Sequence, residues 1–169
     1  SIPLVHYVAP SVWAWKPGRA KKIAPLFDHL LALLPFEPPY FEAVGLPTTF
    51  VGHPAVEHDQ PGDATGFRKR YAVSDDTDVL VVLPGSRKSE VERLLPIFAE
   101  TVQRVCANRP NLRIVVPTVE HVRDAVSQAV QRWPGAPIVV AGEEGRRDAF
   151  ATATAALAAS GTVSVELAL

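Results

Sequence analysis

The chain is poor in the features that mark a disulfide scaffold, a membrane span or a nucleic-acid surface. Among its 169 residues there is one cysteine, Cys106, which can make no internal disulfide. With no signal peptide in view, a reducing cytosol is the expected setting. The longest uncharged apolar run, Leu30 to Phe36, falls far short of the roughly 20 residues that cross a bilayer. No sign of charge dominates: 17 Lys and Arg stand against 18 Asp and Glu, a net of −1. That balance lacks the basic surface that neutralises a phosphate backbone, so no nucleic-acid partner is expected. No Cys/His cluster or carboxylate pair has metal-ligand spacing, and no GxSxG or Ser/His/Asp order is present. Neither a metal, another cofactor nor serine-hydrolase chemistry is indicated.

What is present is alternation. Short β-branched or leucine-rich runs at Leu4–Val8, Leu30–Leu34, Thr48–Val51, Val79–Leu83, Leu112–Val116, Ile138–Val140 and Ala155–Ala158 read as strands. Helical patterns lie between them, the clearest being Val91, Leu94, Leu95, Phe98, Val102, Val105 and Cys106. Regular alternation of this kind predicts an α/β fold of parallel sheets wrapped by helices. The first three strands are assigned to one sheet and the last four to another. Between them Gly52 to Gly66, with three glycines, two prolines and little apolar content, reads as a linker. The division expected is residues 1–57, with the linker's start, and 58–169. The chain opens inside a strand pattern and stops at "SVELAL", a helix opening, so both domains are expected to be incomplete pieces of a longer protein.

The stretch "LPGSRKSEVERLLPIF", Leu83 to Phe98, is the strand-to-helix turn that opens the second sheet. In doubly wound sheets, ligands sit beyond the carboxyl ends of the strands, and the first such turn is a favoured place. Gly85 lets backbone approach a ligand, Ser86 and Ser89 carry hydroxyls, and the N–H groups of the next helix attract anions. Arg87 adds a planar fork of donors suited to phosphate. Ser89 and Glu92 have capping-box spacing, which places the helix start there. The turn lacks the second glycine and the lysine of a P-loop, and a capped helix start with a surface arginine is the plain alternative.

A second turn, "ALAASGTVSVE", repeats the arrangement. Ser160, Gly161 and Thr162 would present donors at a helix N-terminus. Glu166 follows Thr162 by one helical turn, where its carboxylate can accept from two ribose hydroxyls; a first-turn glutamate favoured by the helix dipole is the alternative. Together the two turns point to a nucleotide. In the first sheet unit, "PSVWAWKPGRAKKIA" sets Trp13 and Trp15 among Lys16, Arg19, Lys21 and Lys22. Amphipathic rings beside cations suit a membrane interface or an acylated, phosphorylated substrate; rings packed into the core beside solvated lysines are the alternative. His53, at the end of a predicted strand, suits a hinge-holding structural role better than acid–base work.

Four ordered stretches, "YVAPSVWAWKPGRAKKIA", "DHLLALLPFEPPYFEAVGLPTTFVGHP", "LPGSRKSEVERLLPIF" and "AASGTVSVELAL", closely resemble the lipid-A-disaccharide synthases, a family of bacterial glycosyltransferases. The resemblance spans nearly all of the chain and implies two Rossmann-like domains of a GT-B type enzyme with the active site between them. It implies a reaction in which UDP-2,3-diacylglucosamine and 2,3-diacylglucosamine 1-phosphate give a disaccharide 1-phosphate and UDP, with no metal. Carried over by motif, Gly85, Ser86, Arg87, Ser160, Gly161, Thr162 and Glu166 would bind the donor nucleotide, Arg87 also stabilising transition-state charge. Trp13, Trp15, Lys16 and Arg19 would lie on the acceptor or membrane side. The base proposed for the family, an aspartate, falls before Ser1, so the fragment alone is expected to be inactive. Peripheral attachment to the cytoplasmic face of the inner membrane is implied as well, and homo-oligomerisation of the full-length protein stays open. Thr154 stands where the resemblance leads one to expect aspartate; the position precedes the strand's ligand-bearing end, so binding is expected to survive the change, which could still remove a helix–strand hydrogen bond. Another UDP-sugar enzyme of this fold, an epimerase or a peptidoglycan glycosyltransferase, and a non-catalytic nucleotide-binding or membrane-association module are the competing readings; the "SVWAWKPGR" segment speaks against the first.

Overall fold

The structure is a computed structural model and describes residues 2–54, 61–159, 163 and 167. The chain divides into two compact units, Ser1–His58 and Asp59–Leu169. In the first, strands β1 (Val5–Tyr7), β2 (His29–Ala32) and β3 (Thr48–Phe50) form a parallel sheet in the order β1-β2-β3. Helices α1 (Gly18–Ile23) and α2 (Pro38–Glu42) complete it. Leu30, Ala32, Phe41 and Leu46 are wholly buried with Ala9, Val12 and Ala20 around them. β2 ends two residues before the apolar run does. The Glu37 carboxylate accepts the Leu34 N–H at 2.9 Å, drawing the chain out of the sheet into α2, whose Pro38 takes the first helical position.

In the second unit α3 (Ala64–Arg70) precedes a four-stranded parallel sheet of β4 (Val79–Leu83), β5 (Arg113–Thr118), β6 (Ile138–Ala141) and β7 (Ala155–Ala158), in the order β6-β5-β4-β7. Between the strands run α4 (Lys88–Asn108), α5 (Arg123–Val130) and α6 (Glu143–Thr152). Every residue of β4 is buried, as expected of a central strand covered on both faces. Leu80, Val82, Ile114 and Val116 pack against Val91, Leu95, Phe98 and Val102 of α4 and Val126 and Val130 of α5. Val79, Val81, Val115 and Val140 pack on the opposite side with Phe67 of α3 and Ala149 of α6. Cys106 sits on the apolar stripe of α4, against the first of these clusters, and burial raises its thiol pKa.

All seven expected strands form, in the two expected sheets. Three local expectations are corrected. First, α4 begins at Lys88, and the residue that reaches back to its start is Glu90, whose carboxylate accepts the Arg87 N–H, so the cap lies at Arg87 and Glu90 instead of Ser89 and Glu92. Second, the end of the supposed linker is built into the second unit. Asp63 caps α3 through its bond from the Gly66 N–H at 2.8 Å, and its own N–H donates to buried Asp148 at 2.8 Å. Third, Thr154 does not forfeit a hydrogen bond. Its hydroxyl accepts the Val79 N–H at 3.0 Å while its own N–H donates to the Val79 carbonyl at 2.9 Å, joining the starts of β7 and β4. Thr154→Ala is expected to leave that N–H without its partner and destabilise the unit by about 1–2 kcal/mol. Thermal unfolding of the wild type and variant measures the loss.

Candidate functional site

β4 is the first strand of its sheet. β5 and β6 are added on one side of it and β7 on the other, so the chain order reverses between β4 and β7. A reversal of this kind opens a crevice beyond the strand carboxyl ends, because the segments leaving the two strands lie on opposite faces. A pocket of about 430 Å³ lies there, lined by residues that include Gly85, Ser86, Arg87 and Glu90 from the first turn and Ala159 after β7. Two further guanidinium-bearing residues, Arg93 of α4 and Arg146 of α6, line it as well, so among the described residues arginines outnumber carboxylates.

Gly85 makes the turn. Its φ of +107° is open to glycine and strained for other residues, and a Cβ there would lie 2.8 Å from the Glu90 Cβ and 2.9 Å from Oε2. With Gly85 so placed, three donors converge on Glu90. The Ser86 and Arg87 N–H groups both donate to Oε2 at 3.3 Å, and an Arg87 guanidinium N–H donates to Oε1 at 2.8 Å. The Arg87 guanidinium, and after it the Arg87 N–H, hold the Glu90 carboxyl below its ordinary pKa. Two backbone donors and one guanidinium around a carboxylate form an anion site. Arg87 itself keeps 79 % of its side chain exposed, at the pocket's rim and outside the core.

Gly85, Ser86 and Arg87 are therefore brought together in one pocket, and Ala159 and Val163, either side of the second turn, line the same space. Ser160, Gly161, Thr162 and Glu166 lie outside the described residues. Glu90, Arg93, Arg146 and Thr118 were not recognised in the sequence. Of these, only Glu90 carried a signal, its three-residue spacing from Arg87.

In the first unit, the tryptophans do not pack into the core. Trp15 is 60 % exposed and carries the Lys16 ammonium 4.2 Å from its ring centroid, a cation–π contact. Trp13, partly exposed, meets Phe36 edge-on at 5.2 Å and donates its indole N–H to Glu37 at 3.4 Å. Glu37 thus ties the tryptophan segment to the turn after β2. Val8 and Lys16, with φ of 76° and 56°, are non-glycine residues in the left-handed region on either side of Trp13 and Trp15. For Val8, a β-branched residue, this is a strained conformation of the sort that clusters at ligand-binding places. Arg19 lies exposed in the first turn of α1.

Two parallel sheets covered by helices, one with a glycine turn and anion-binding donors at its switch point, define a Rossmann-like α/β protein of the kind that makes up part of a GT-B glycosyltransferase fold. The chain belongs to the lipid-A-disaccharide synthetase family, whose model matches residues 1–169. It is 60 % identical to the lipid-A-disaccharide synthase of Rhodospirillum centenum, over 99 % of this chain and 42 % of that protein. It is 51 % identical to the synthase of Ruegeria pomeroyi and 53 % to that of Paramagnetospirillum magneticum, again over 99 % of this chain. The chain thus spans well under half the length of these relatives, 42–44 % of each.

Proposed function

We propose that the whole protein joins UDP-2,3-diacylglucosamine to 2,3-diacylglucosamine 1-phosphate, forming the disaccharide 1-phosphate and releasing UDP. The observation that carries this reading is the first turn, where Ser86 N–H, Arg87 N–H and the Arg87 guanidinium already converge on a carboxylate. A diphosphate needs donors of that type and direction. The second unit, Asp59–Leu169, is the donor side, with Ser160, Gly161, Thr162 and Glu166 completing its nucleotide contacts. The first, Ser1–His58, is the acceptor side.

In the transfer, an acceptor hydroxyl forms a bond to C1 of the donor sugar as the bond from C1 to the diphosphate oxygen breaks. Negative charge then grows on the leaving UDP. Arg87 and the N–H groups at the start of α4 meet that charge, and donors fixed before the reaction need little reorganisation during it. On the other side, Trp13, Trp15, Lys16 and Arg19 engage the acylated, phosphorylated acceptor at the membrane surface, the exposed rings meeting acyl chains and the cations meeting phosphate. No helix among the described residues is long and apolar enough to cross a membrane. Attachment is read as peripheral, on the cytoplasmic face of the inner membrane, from the acylated substrates of the proposed reaction and, more weakly, from the basic tryptophan segment.

The test uses the whole protein with a chelator, given the UDP-sugar with and without the acceptor, and detects disaccharide and UDP by mass spectrometry. Disaccharide formed only when both sugars are present is the expected result. Binding of UDP without disaccharide would refute transfer to this acceptor and leave the nucleotide site standing. For the first unit, Trp15→Ala with Lys16→Ala is expected to raise the acceptor KM about tenfold with UDP affinity unchanged, given roughly 0.5–2 kcal/mol for contacts of this kind. Loss of both affinities together would point to misfolding instead.

A further inference from the structure

Among the residues that line the pocket beyond β4 is a buried hydroxyl from outside the turn. Thr118, the last residue of β5, lines the pocket, yet it is only 8 % exposed and its hydroxyl has no hydrogen-bond partner. Among the described residues, one other buried side-chain atom shares that condition, Nε of Arg113, which lies at the amino end of the same strand, away from the pocket. Buried hydroxyls are nearly always paired, and those left unpaired in native proteins concentrate where a ligand or water completes them.

Register locates Thr118 closely. β4 and β5 are parallel with Val79 opposite Arg113 and Val81 opposite Val115. Carried forward, the same register sets Thr118 level with Pro84, one residue before Gly85. Neighbouring strands lie about 4.8 Å apart, so Thr118 is a single strand spacing from the turn that holds Ser86 and Arg87.

We propose that Thr118 is a further donor-binding residue, its hydroxyl hydrogen-bonding the diphosphate of a nucleoside diphosphate held by the Gly85–Arg87 turn. The inference rests on the donor-site reading above. It assigns the pocket a contact from a second strand, so the diphosphate is gripped from β5 as well as from the first turn. An unpaired hydroxyl in the protein alone and a paired one in the complex also give stability and affinity opposite responses to its removal. Valine keeps the shape of threonine without the hydroxyl, so Thr118→Val is neutral or stabilising for the free protein while it weakens the complex.

The experiment measures UDP and pyrophosphate binding to the full-length protein by calorimetry, with thermal unfolding alongside, for the wild type, Thr118→Val and Thr118→Ser. The expected result is a Kd for UDP raised about three- to tenfold in Thr118→Val, the loss of one neutral hydrogen bond. Pyrophosphate weakens in parallel, Thr118→Ser retains wild-type affinity, and the unfolding temperature of Thr118→Val does not fall. Equal UDP affinity in wild type and Thr118→Val overturns the proposal while leaving the donor site in place. Weakened UDP with unchanged pyrophosphate overturns the diphosphate contact. A Thr118→Val protein that unfolds several degrees earlier overturns it in favour of a structural hydroxyl. Failure of the wild type itself to bind UDP overturns the donor-site reading on which the proposal stands.

Discussion

Arg87→Ala in the full-length protein is expected to lower kcat about 100- to 1000-fold at saturating donor, with a smaller change in KM. The range is that seen when one preorganised donor is removed from a site of developing negative charge. Gly85, with its left-handed φ, turns the chain so that the Arg87 N–H and guanidinium face the same carboxylate. In the proposed transfer the bound diphosphate already bears charge in the ground state, which the backbone donors and other arginines of the pocket would share. One more negative charge would accumulate on the leaving group as its bond to C1 breaks, and an interaction that strengthens only then appears in kcat. Arg87→Lys should recover part of the rate, since lysine restores the charge without the planar fork. Because the Arg87 side chain is largely exposed and its partner Glu90 is a surface carboxylate, the unfolding temperature should change little. A loss confined to KM would assign Arg87 to uniform donor binding and remove it from the transition state.

The central strands of the second sheet could be read from the sequence because they are buried on both faces. Continuous runs such as Val79–Leu83 have no solvent side to dilute them, so the signal survives without any alternation. Boundaries were harder where a side chain from elsewhere intervenes, as Glu37 does at the end of β2. The start of α4 shows a different limit. Both Arg87 with Glu90 and Ser89 with Glu92 have the spacing of a cap, and residue preference favours serine. What decides is that Glu90 answers three donors at once, one of them a guanidinium, an outcome that depends on the backbone set by Gly85. The Gly85–Arg87 turn, proposed as the diphosphate site, was visible as a local motif. Thr118, Arg93 and Arg146 were not, because the crevice collects them from three elements far apart in the chain, and no spacing rule links them. Asp148 is a similar case: its buried carboxylate takes the Asp63 N–H across 85 residues of sequence.

Gly85→Ala is expected to cost at least as much as loss of Arg87, by a different route. A single added methyl has two penalties here. The φ of +107° becomes strained for any L side chain, and the new Cβ would overlap the Glu90 Cβ at 2.8 Å and its carboxylate at 2.9 Å. The Cβ contact is the more severe, since it involves the part of Glu90 fixed to α4, which no rotamer change relieves. The turn must therefore move, carrying with it the Ser86 and Arg87 N–H groups whose direction makes the anion site. Displacement of reacting groups by about 1 Å is enough to lose about 100-fold in rate. UDP binding by calorimetry should weaken together with kcat, which separates this variant from Arg87→Ala, where binding persists. Gly18→Ala supplies the contrast: no atom lies within 4 Å of the added Cβ, and alanine suits the first turn of α1 better than glycine. The same substitution there should leave UDP binding intact and leave the unfolding temperature unchanged or slightly raised. If Gly85→Ala binds UDP as the wild type does, the turn is not the diphosphate cradle, whatever the remainder of the pocket holds.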